Sequence, residues 1–293
     1  MKIAHFSDLH VFDASLEKWS HFINKRLIAG INYLLFRKKH HLLSPLFTLL
    51  EDLKHTQPDH MVITGDVSNL GLHSEFLMVN QLLKKIDLPQ SEITIIPGNH
   101  DNYITGCLKD FSSIFADYLH SDEEFNNPTS LFPVVKTRGH VAIIGISSAV
   151  VTPFFSSRGS IGNKQLELLE KALTDLSSFF RVVLIHHPPI APLIDWRKKL
   201  IDKKEFLRII QKVGCELILH GHDYKDQIRW IAGPQKRLIP MSCVGSASYL
   251  GSPEECARYN IYHIEDTRQV TVETRAFDPK EKTCYTFSQQ ILV

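Results

Sequence analysis

Short apolar runs rich in β-branched residues recur along the chain, and most of them stop at Asp, His or Asn. Ile3-Ala4-His5-Phe6-Ser7 runs into Asp8-Leu9-His10, and Met61-Val62-Ile63-Thr64 into Gly65-Asp66, with Asn69 close behind. Ile93-Thr94-Ile95-Ile96 is stopped by Pro97 and followed by Gly98-Asn99-His100-Asp101. Val182-Val183-Leu184-Ile185 meets His186-His187-Pro188-Pro189, and Leu217-Ile218-Leu219 meets His220-Gly221-His222-Asp223. Runs of this length, bounded by Gly and Pro, read as buried strands. Helical spacing fills the intervals at 42–56, 73–86, 163–178 (with Asn163 as the cap) and 202–213. Strand and helix in alternation predict parallel strands with right-handed crossovers. In open sheets of that kind ligand sites gather beyond the carboxyl ends of the strands, where these polar groups fall.

The rest of the pattern is less regular. Residues 134–148 read as two strands turning at Arg138-Gly139-His140, and 154–162 as a Ser/Gly-rich loop over the site. Residues 103–133 lose periodicity and contain an exposed loop around Asp122 and Asn127. From Gln227 onward the chain is strand and turn, at 228–231, 237–244, 259–265, 270–277 and 285–292. No repeat or linker interrupts it, so one domain over 1–293 is expected, with an insertion at about 16–41. There Trp19, Phe22, Ile23, Leu27, Ile31, Leu34 and Leu35 recur at helical spacing across Gly30. Lys18, Lys25, Arg26, Arg37, Lys38 and Lys39 add positive charge, and no acidic residue lies between Lys18 and His41. Two readings stand: a helix packed on the domain with a solvated basic face, or a flap that touches a membrane or closes over an anionic substrate.

Composition narrows the classes. Hydrophobic content of 43%, charged content of 22% and a net charge of +1 describe an ordinary globule without the field that a nucleic-acid polymer would need. Five cysteines without a C-x-x-C pair read as reduced thiols in a cytoplasmic protein. The N-terminus enters strand-like sequence at once, so no signal peptide is expected. The longest apolar run, 27–36, is short of the ~20 residues of a membrane span.

Asp8, His10, Asp66, Asn99, His186 and His222 form an oxygen-and-imidazole set without thiolates, which suits Mn²⁺, Fe²⁺ or Zn²⁺. A carboxylate such as Asp66 can bridge two cations, and two cations ~3.5–4 Å apart clamp both oxygens of a phosphoryl transfer. His100 could protonate the leaving oxygen, with Asp101 orienting its ring. Asn69 either caps the next helix or meets the phosphate. His5, His60 and His140 read as packing or surface residues, and His220 alternates away from His222. No G-x-S-x-G, P-loop or dinucleotide fingerprint occurs.

Asp8-x-His10, Gly65-Asp66-x-x-Asn69, Gly98-Asn99-His100-Asp101, His186 and Gly221-His222, in this order, resemble the signature of the calcineurin-like metallophosphoesterases. The resemblance covers residue 1 to about 245. It implies an α/β fold, a four-layer α/β/β/α sandwich of two mixed β-sheets, with two divalent metal ions, Mn or Fe ahead of Zn. It further implies that Asp8 and His10 hold the first metal, that Asp66 bridges, and that Asn99, His186 and His222 hold the second. His186 is preferred to His187 because the family's ligand stands two residues before a proline. His100 becomes the catalytic histidine, supported by Asp101, and a metal-bridging hydroxide attacks phosphorus in line. Residues 159–166 also resemble the class III cyclic-nucleotide phosphodiesterases, so a soluble phosphodiesterase with a phosphoester substrate leads. The basic insertion resembles the lids of UDP-diacylglucosamine pyrophosphohydrolases, which keeps a lipid substrate and peripheral contact at the inner membrane face through 18–39 open. One departure stands out: the family's Gly-His-x-His reads Gly221-His222-Asp223-Tyr224. Asp223, Asp226, Tyr224 or water then completes the first metal's shell, or the chain is a weakly active metal-stabilised binding protein.

Overall fold

The computed structural model describes residues 1–17, 25–32, 39–190, 196–252 and 255–292, without the side chains of 29, 32 and 196. Two six-stranded mixed sheets carry the fold. In the first, β1 (Lys2–Phe6), β2 (His60–Ile63) and β3 (Ile93–Ile95) run parallel in the order β1-β2-β3. In the second, β4 (Val134–Arg138) pairs antiparallel with β5 (Val141–Gly145), and β6 (Phe180–Leu184) and β7 (Leu217–His220) follow in parallel. That sheet ends with β8 (Gln227–Ala232) as its edge and β9 (Leu238–Cys243) between it and β7. The chain then returns to the first sheet as the antiparallel strands β10 (Arg258–Ile264), β11 (Val270–Asp278) and β12 (Thr283–Ile291), with β10 against β1.

Why these residues form these strands is legible in burial. The parallel strands β2 and β3 are buried at every position although β3 is the edge of its sheet, and their two polar side chains, His60 and Thr94, hydrogen-bond to each other. β11 alternates buried with half-buried positions, and β12 is largely exposed, as befits an edge. On the second sheet the alternation serves two cores. Val182, Leu184, Leu217 and Leu219 share one apolar cluster with Phe6, Val62 and Ile95 of the first sheet. Val183, Ile185 and Ile218 turn the other way, onto Leu166, Leu169, Phe206 and Ile210. Those last residues belong to α6 (Asn163–Asp175) and α7 (Lys203–Val213).

Five further helices complete the described residues: α1 (Lys25–Asn32), α2 (Leu43–Thr56), α3 (His73–Leu83), α4 (Cys107–Ile114) and α5 (Ala116–Leu119). The last two occupy 107–119 of the stretch expected to be irregular at 103–133, and the remainder around Asp122 and Asn127 is loop as expected. Cys107, Phe111, Phe115 and Tyr118 lie at helical spacing and are buried, and their rings pack on Phe76 of α3 and on each other. Asn163 is not the cap of α6 but its first residue. The backbone N–H groups of Ile161 and Gly162 donate to Asp202 instead. Asn69 is no cap either, because α3 begins at His73.

The insertion reverses its expected orientation where it is described. Arg26 of α1 is buried, donating to the Leu70 and Gly71 carbonyls, whereas Leu27, Ile28 and Ile31 are each about half exposed. Lys25 donates to Thr152 and lies 4.3 Å from the centre of the Tyr103 ring. The remaining stripe and charge positions, Lys18, Trp19, Phe22, Ile23, Leu34, Leu35, Arg37 and Lys38, lie outside the described residues.

Candidate active site

The polar residues that follow β1, β2, β3, β6 and β7 meet in one cleft where the two sheets come together. Their backbones turn sharply to do so. Asp8, His10, Asp66 and His222 have φ of 53°, 44°, 52° and 74°, and Tyr224 has 55°. Non-glycine residues rarely adopt this left-handed region, and each instance costs about 1–3 kcal/mol unless its surroundings enforce it. Two glycines permit the crowding. A side chain at Gly98 would collide with Asp66, and one at Gly221 with Ser7 and Asp8.

Side-chain contacts then fix the orientation of each group. His186 Nδ1 donates to the Thr64 carbonyl at 2.7 Å, so its Nε2 is turned to Asn99 Oδ1 at 3.2 Å and Asp66 Oδ2 at 3.4 Å. His10 Nε2 lies 3.6 Å from Asp8 Oδ1, 3.9 Å from Asp66 Oδ2 and 2.7 Å from Tyr224 Oη. Asp8 Oδ2 accepts from the Ser7 hydroxyl and from the His222 N–H. His100 donates from Nδ1 to the Asn69 carbonyl at 2.6 Å, while its backbone N–H donates to Asp66 Oδ1. Its ring stacks on Tyr103 and meets the His10 ring edge-on at 4.8 Å.

The electrostatics are those of a cation site. Ligand atoms of Asp8, Asp66 and His186 lie within 4.8 Å of one another, as do those of His10, Asp66 and His100. Asp66 belongs to both groups. Burial raises the Asp8 carboxyl to about 7, helped by the Asp66 charge. Burial acts upward on Asp66 too, but the His186, His100 and His10 imidazoles outweigh it and hold Asp66 well below the usual carboxylate range. Two buried carboxylates that cannot both ionise comfortably call for positive charge between them. Burial, with His187 and His186 adding to it, keeps His222 neutral, which is the form that ligates. Asp8 Oδ1 and His222 Nε2 are buried without a hydrogen-bond partner among the described residues. Buried polar atoms are seldom left so, and a divalent cation is a partner that fits both.

Residues 1–226 match the family model described as calcineurin-like phosphoesterase. The chain belongs to this family. Among curated relatives it is similar to the "Probable cyclic nucleotide phosphodiesterase" of Vesicomyosocius okutanii, 27% identical over 78% of this chain and 86% of that one. It is also similar to the "Probable glycerophosphodiester phosphodiesterase GpdQ" of Arcobacter nitrofigilis, 30% identical over 46% of this chain and 43% of the relative. The match thus spans less than half the length of that second protein. In fold it resembles the purple acid phosphatase PPD1 of yellow lupin, with a TM-score of 0.60 at 12% identity over 97% of this chain and 52% of that one. The phosphoesterase architecture of two mixed sheets flanked by helices is therefore shared.

Within this phosphoesterase site, several expectations need correction or completion. Asp101 does not orient the His100 ring. Its carboxylate accepts from the N–H groups of Val67, Ser68 and Gly98 and from the Ser68 hydroxyl, so it staples the β2 and β3 loops together. The Asn69 carbonyl takes over the ring. His187 stands near His186 and His222, yet both of its nitrogens are engaged, with Ser148 Oγ at 2.7 Å and the Ser157 carbonyl at 3.0 Å. It latches the 154–162 loop, and His186 is the histidine that faces Asp66. His5 and His60 are buried against Thr64 and Thr94, as packing residues. His41, which no motif pointed to, packs edge-on against His10 at 4.8 Å. A cavity of about 220 Å³ opens beside Asn99 and His100, lined by Lys25, Tyr103, Phe154 and Phe155.

Proposed function

We propose that the chain is a metal-dependent phosphodiesterase with two divalent cations in this cleft. The observation that carries the reading is the place of Asp66, whose Oδ2 lies 3.9 Å from His10 Nε2 and 3.4 Å from His186 Nε2, between the two imidazoles. Asp8 and His10 would hold one cation, Asn99, His186 and His222 the other, and Asp66 would serve both. When bound, the cations supply charge for the attacking and leaving oxygens of phosphoryl transfer and activate water at neutral pH. The side chains do the rest. Thr64 and Asn69 fix the His186 and His100 rings, and the His100 proton at stake is on Nε2, opposite the nitrogen that Asn69 holds. Donated to the departing alkoxide, it avoids release of a strong base.

The cavity beside His100 accommodates the departing alcohol, with Phe154 and Phe155 as apolar walls and Lys25 as a charge. Hydrolysis of bis(p-nitrophenyl) phosphate with Mn²⁺ tests the reading. Activity should vanish with EDTA and fall at least 10³-fold in Asp66→Ala, with loss of bound metal. Wild-type turnover equal to that of Asp66→Ala would leave a metal-stabilised binding protein as the better description. A second reading, an amphiphilic phosphodiester or pyrophosphate at a membrane surface, is favoured by one observation. Ile28 lines the same cavity, while Leu27 and Ile31 beside it are exposed. Among the described residues no helix is long and apolar enough to cross a membrane.

A further inference from the structure

The family's final histidine is missing here, and the groups that could replace it do not stand equally near. We propose that the Tyr224 phenol oxygen is the fourth protein ligand of the first cation position, beside Asp8, His10 and Asp66. The proposal rests on the dinuclear reading above and gives that position a donor set of its own.

Distance comes first. Tyr224 Oη lies 2.7 Å from His10 Nε2, the same nitrogen that faces Asp8 and Asp66. Two ligand atoms each about 2.1 Å from one cation, at ordinary angles, stand roughly 2.7–3.4 Å apart. The phenol oxygen and the imidazole nitrogen already have that separation. The ring is placed with the site as well, its centre 5.5 Å from that of His10.

The competing groups are committed elsewhere. Asp226 accepts from the Gly245 N–H at 2.9 Å and pairs with Arg258, which is buried against it. Asp223 accepts from the Gln227 side chain at 3.1 Å. Among the described residues neither carboxylate makes a hydrogen bond or ion pair to His10. The His41 ring packs edge-on against His10 at 4.8 Å, and its Nδ1 meets Ser248 Oγ at 2.9 Å.

The substitution has a chemical consequence. With Tyr224 the first position offers one imidazole and three oxygens, whereas the second offers His186 and His222 with Asp66 and Asn99. Oxygen donors suit Mn²⁺ and iron, and imidazole favours Zn²⁺ comparatively more. Tyr224 therefore tilts the first position away from zinc.

The test is metal content per chain and Mn²⁺ affinity, by elemental analysis and equilibrium dialysis, on wild type, Tyr224→Phe and Tyr224→His. Wild type should hold two Mn²⁺, and Tyr224→Phe should lose one or bind it at least tenfold more weakly. Tyr224→His should hold two and shift the Mn²⁺-to-Zn²⁺ preference of one position about tenfold toward Zn²⁺. Two Mn²⁺ held by Tyr224→Phe with wild-type affinity would overturn the proposal, as would an unchanged preference in Tyr224→His. Melting in EDTA reports folding separately. If Tyr224→Phe melts lower there, rescue of the second Mn²⁺ by Tyr224→His supports the ligand role, and failure of rescue refutes it. A wild type that binds no metal defeats the dinuclear reading and this one together. Loss of both ions in Asp66→Ala with retention of both in Tyr224→Phe defeats this one alone.

Discussion

His100 and Asp101 are adjacent in sequence and serve different ends. The His100 ring is held by the Asn69 carbonyl and stacked on Tyr103, so its removal leaves the Asp8, Asp66 and His186 group in place. His100→Ala should lower kcat by roughly 10²–10⁴-fold while bound metal stays at the wild-type level. The Asp101 carboxylate instead receives four donors from the loops after β2 and β3. Asp101→Asn turns an amide nitrogen toward N–H groups and should cost about 2–4 kcal/mol of stability, read as a lower melting temperature. An Asp101→Asn protein with unaltered melting but altered pH profile would return the residue to the chemistry. The contrast also marks what sequence can convey. Asp8, His10, Asp66, Asn99, His186 and His222 were legible because each follows a short apolar strand within a few residues. Which donors find the Asp101 carboxylate, or that Asn69 acts through its carbonyl, depends on loops brought together only in the fold.

At the scale of elements, period and punctuation placed the strands to within a residue or two, because a buried parallel strand needs a continuous apolar run. The helices α4 and α5 escaped because Ser112 and Ser113 interrupt a stripe of only two turns, and an acidic run follows. α1 escaped differently. Its amphipathic pattern was plain, but the pattern could not say that Arg26 would find buried carbonyls and turn the apolar face outward. An exposed stripe beside a substrate cavity has a use at a lipid surface, where apolar insertion and attraction to anionic lipids add. If that use is real, the protein should sediment with anionic vesicles at low salt, and the double variant Leu27→Gln/Ile31→Gln should do so at least fivefold less. Equal sedimentation of both proteins, or of neither, would leave the face without a lipid role.

At the scale of the molecule, the site is the seam between the sheets. Asp8, His10, Asp66, Asn99 and His100 come from the first sheet, and His186 and His222 from the second. Hydrogen bonds cross the seam at Thr64–His186, Asp8–His222 and Ser7–Ala247, and Ser246 reaches the Asp8 carbonyl at 2.6 Å. Farther along, Lys136 of β4 donates to the Ser91 and Ile93 carbonyls and Arg138 pairs with Glu92. Against these ties stands the burial of two neighbouring carboxylates: burial, helped by the Asp66 charge, pushes Asp8 up to about 7. A cation bound there removes that repulsion and draws ligands from both sheets at once, so it stabilises the sandwich rather than one sheet. By mass action, Mn²⁺ at 100 times its Kd adds about 2.7 kcal/mol. For a chain of this size that is a rise of several degrees in Tm, reversed by EDTA. Far-UV circular dichroism and, in a Trp19→Phe/Trp196→Phe background, the fluorescence of Trp230 on β8 of the second sheet should move together. Asp66→Ala should show no rise, because the carboxylate shared by both positions is gone. A rise in wild type confined to one probe would mean that the cation holds one sheet only. No rise at all, with metal bound, would mean that the seam is held by its hydrogen bonds and apolar contacts alone.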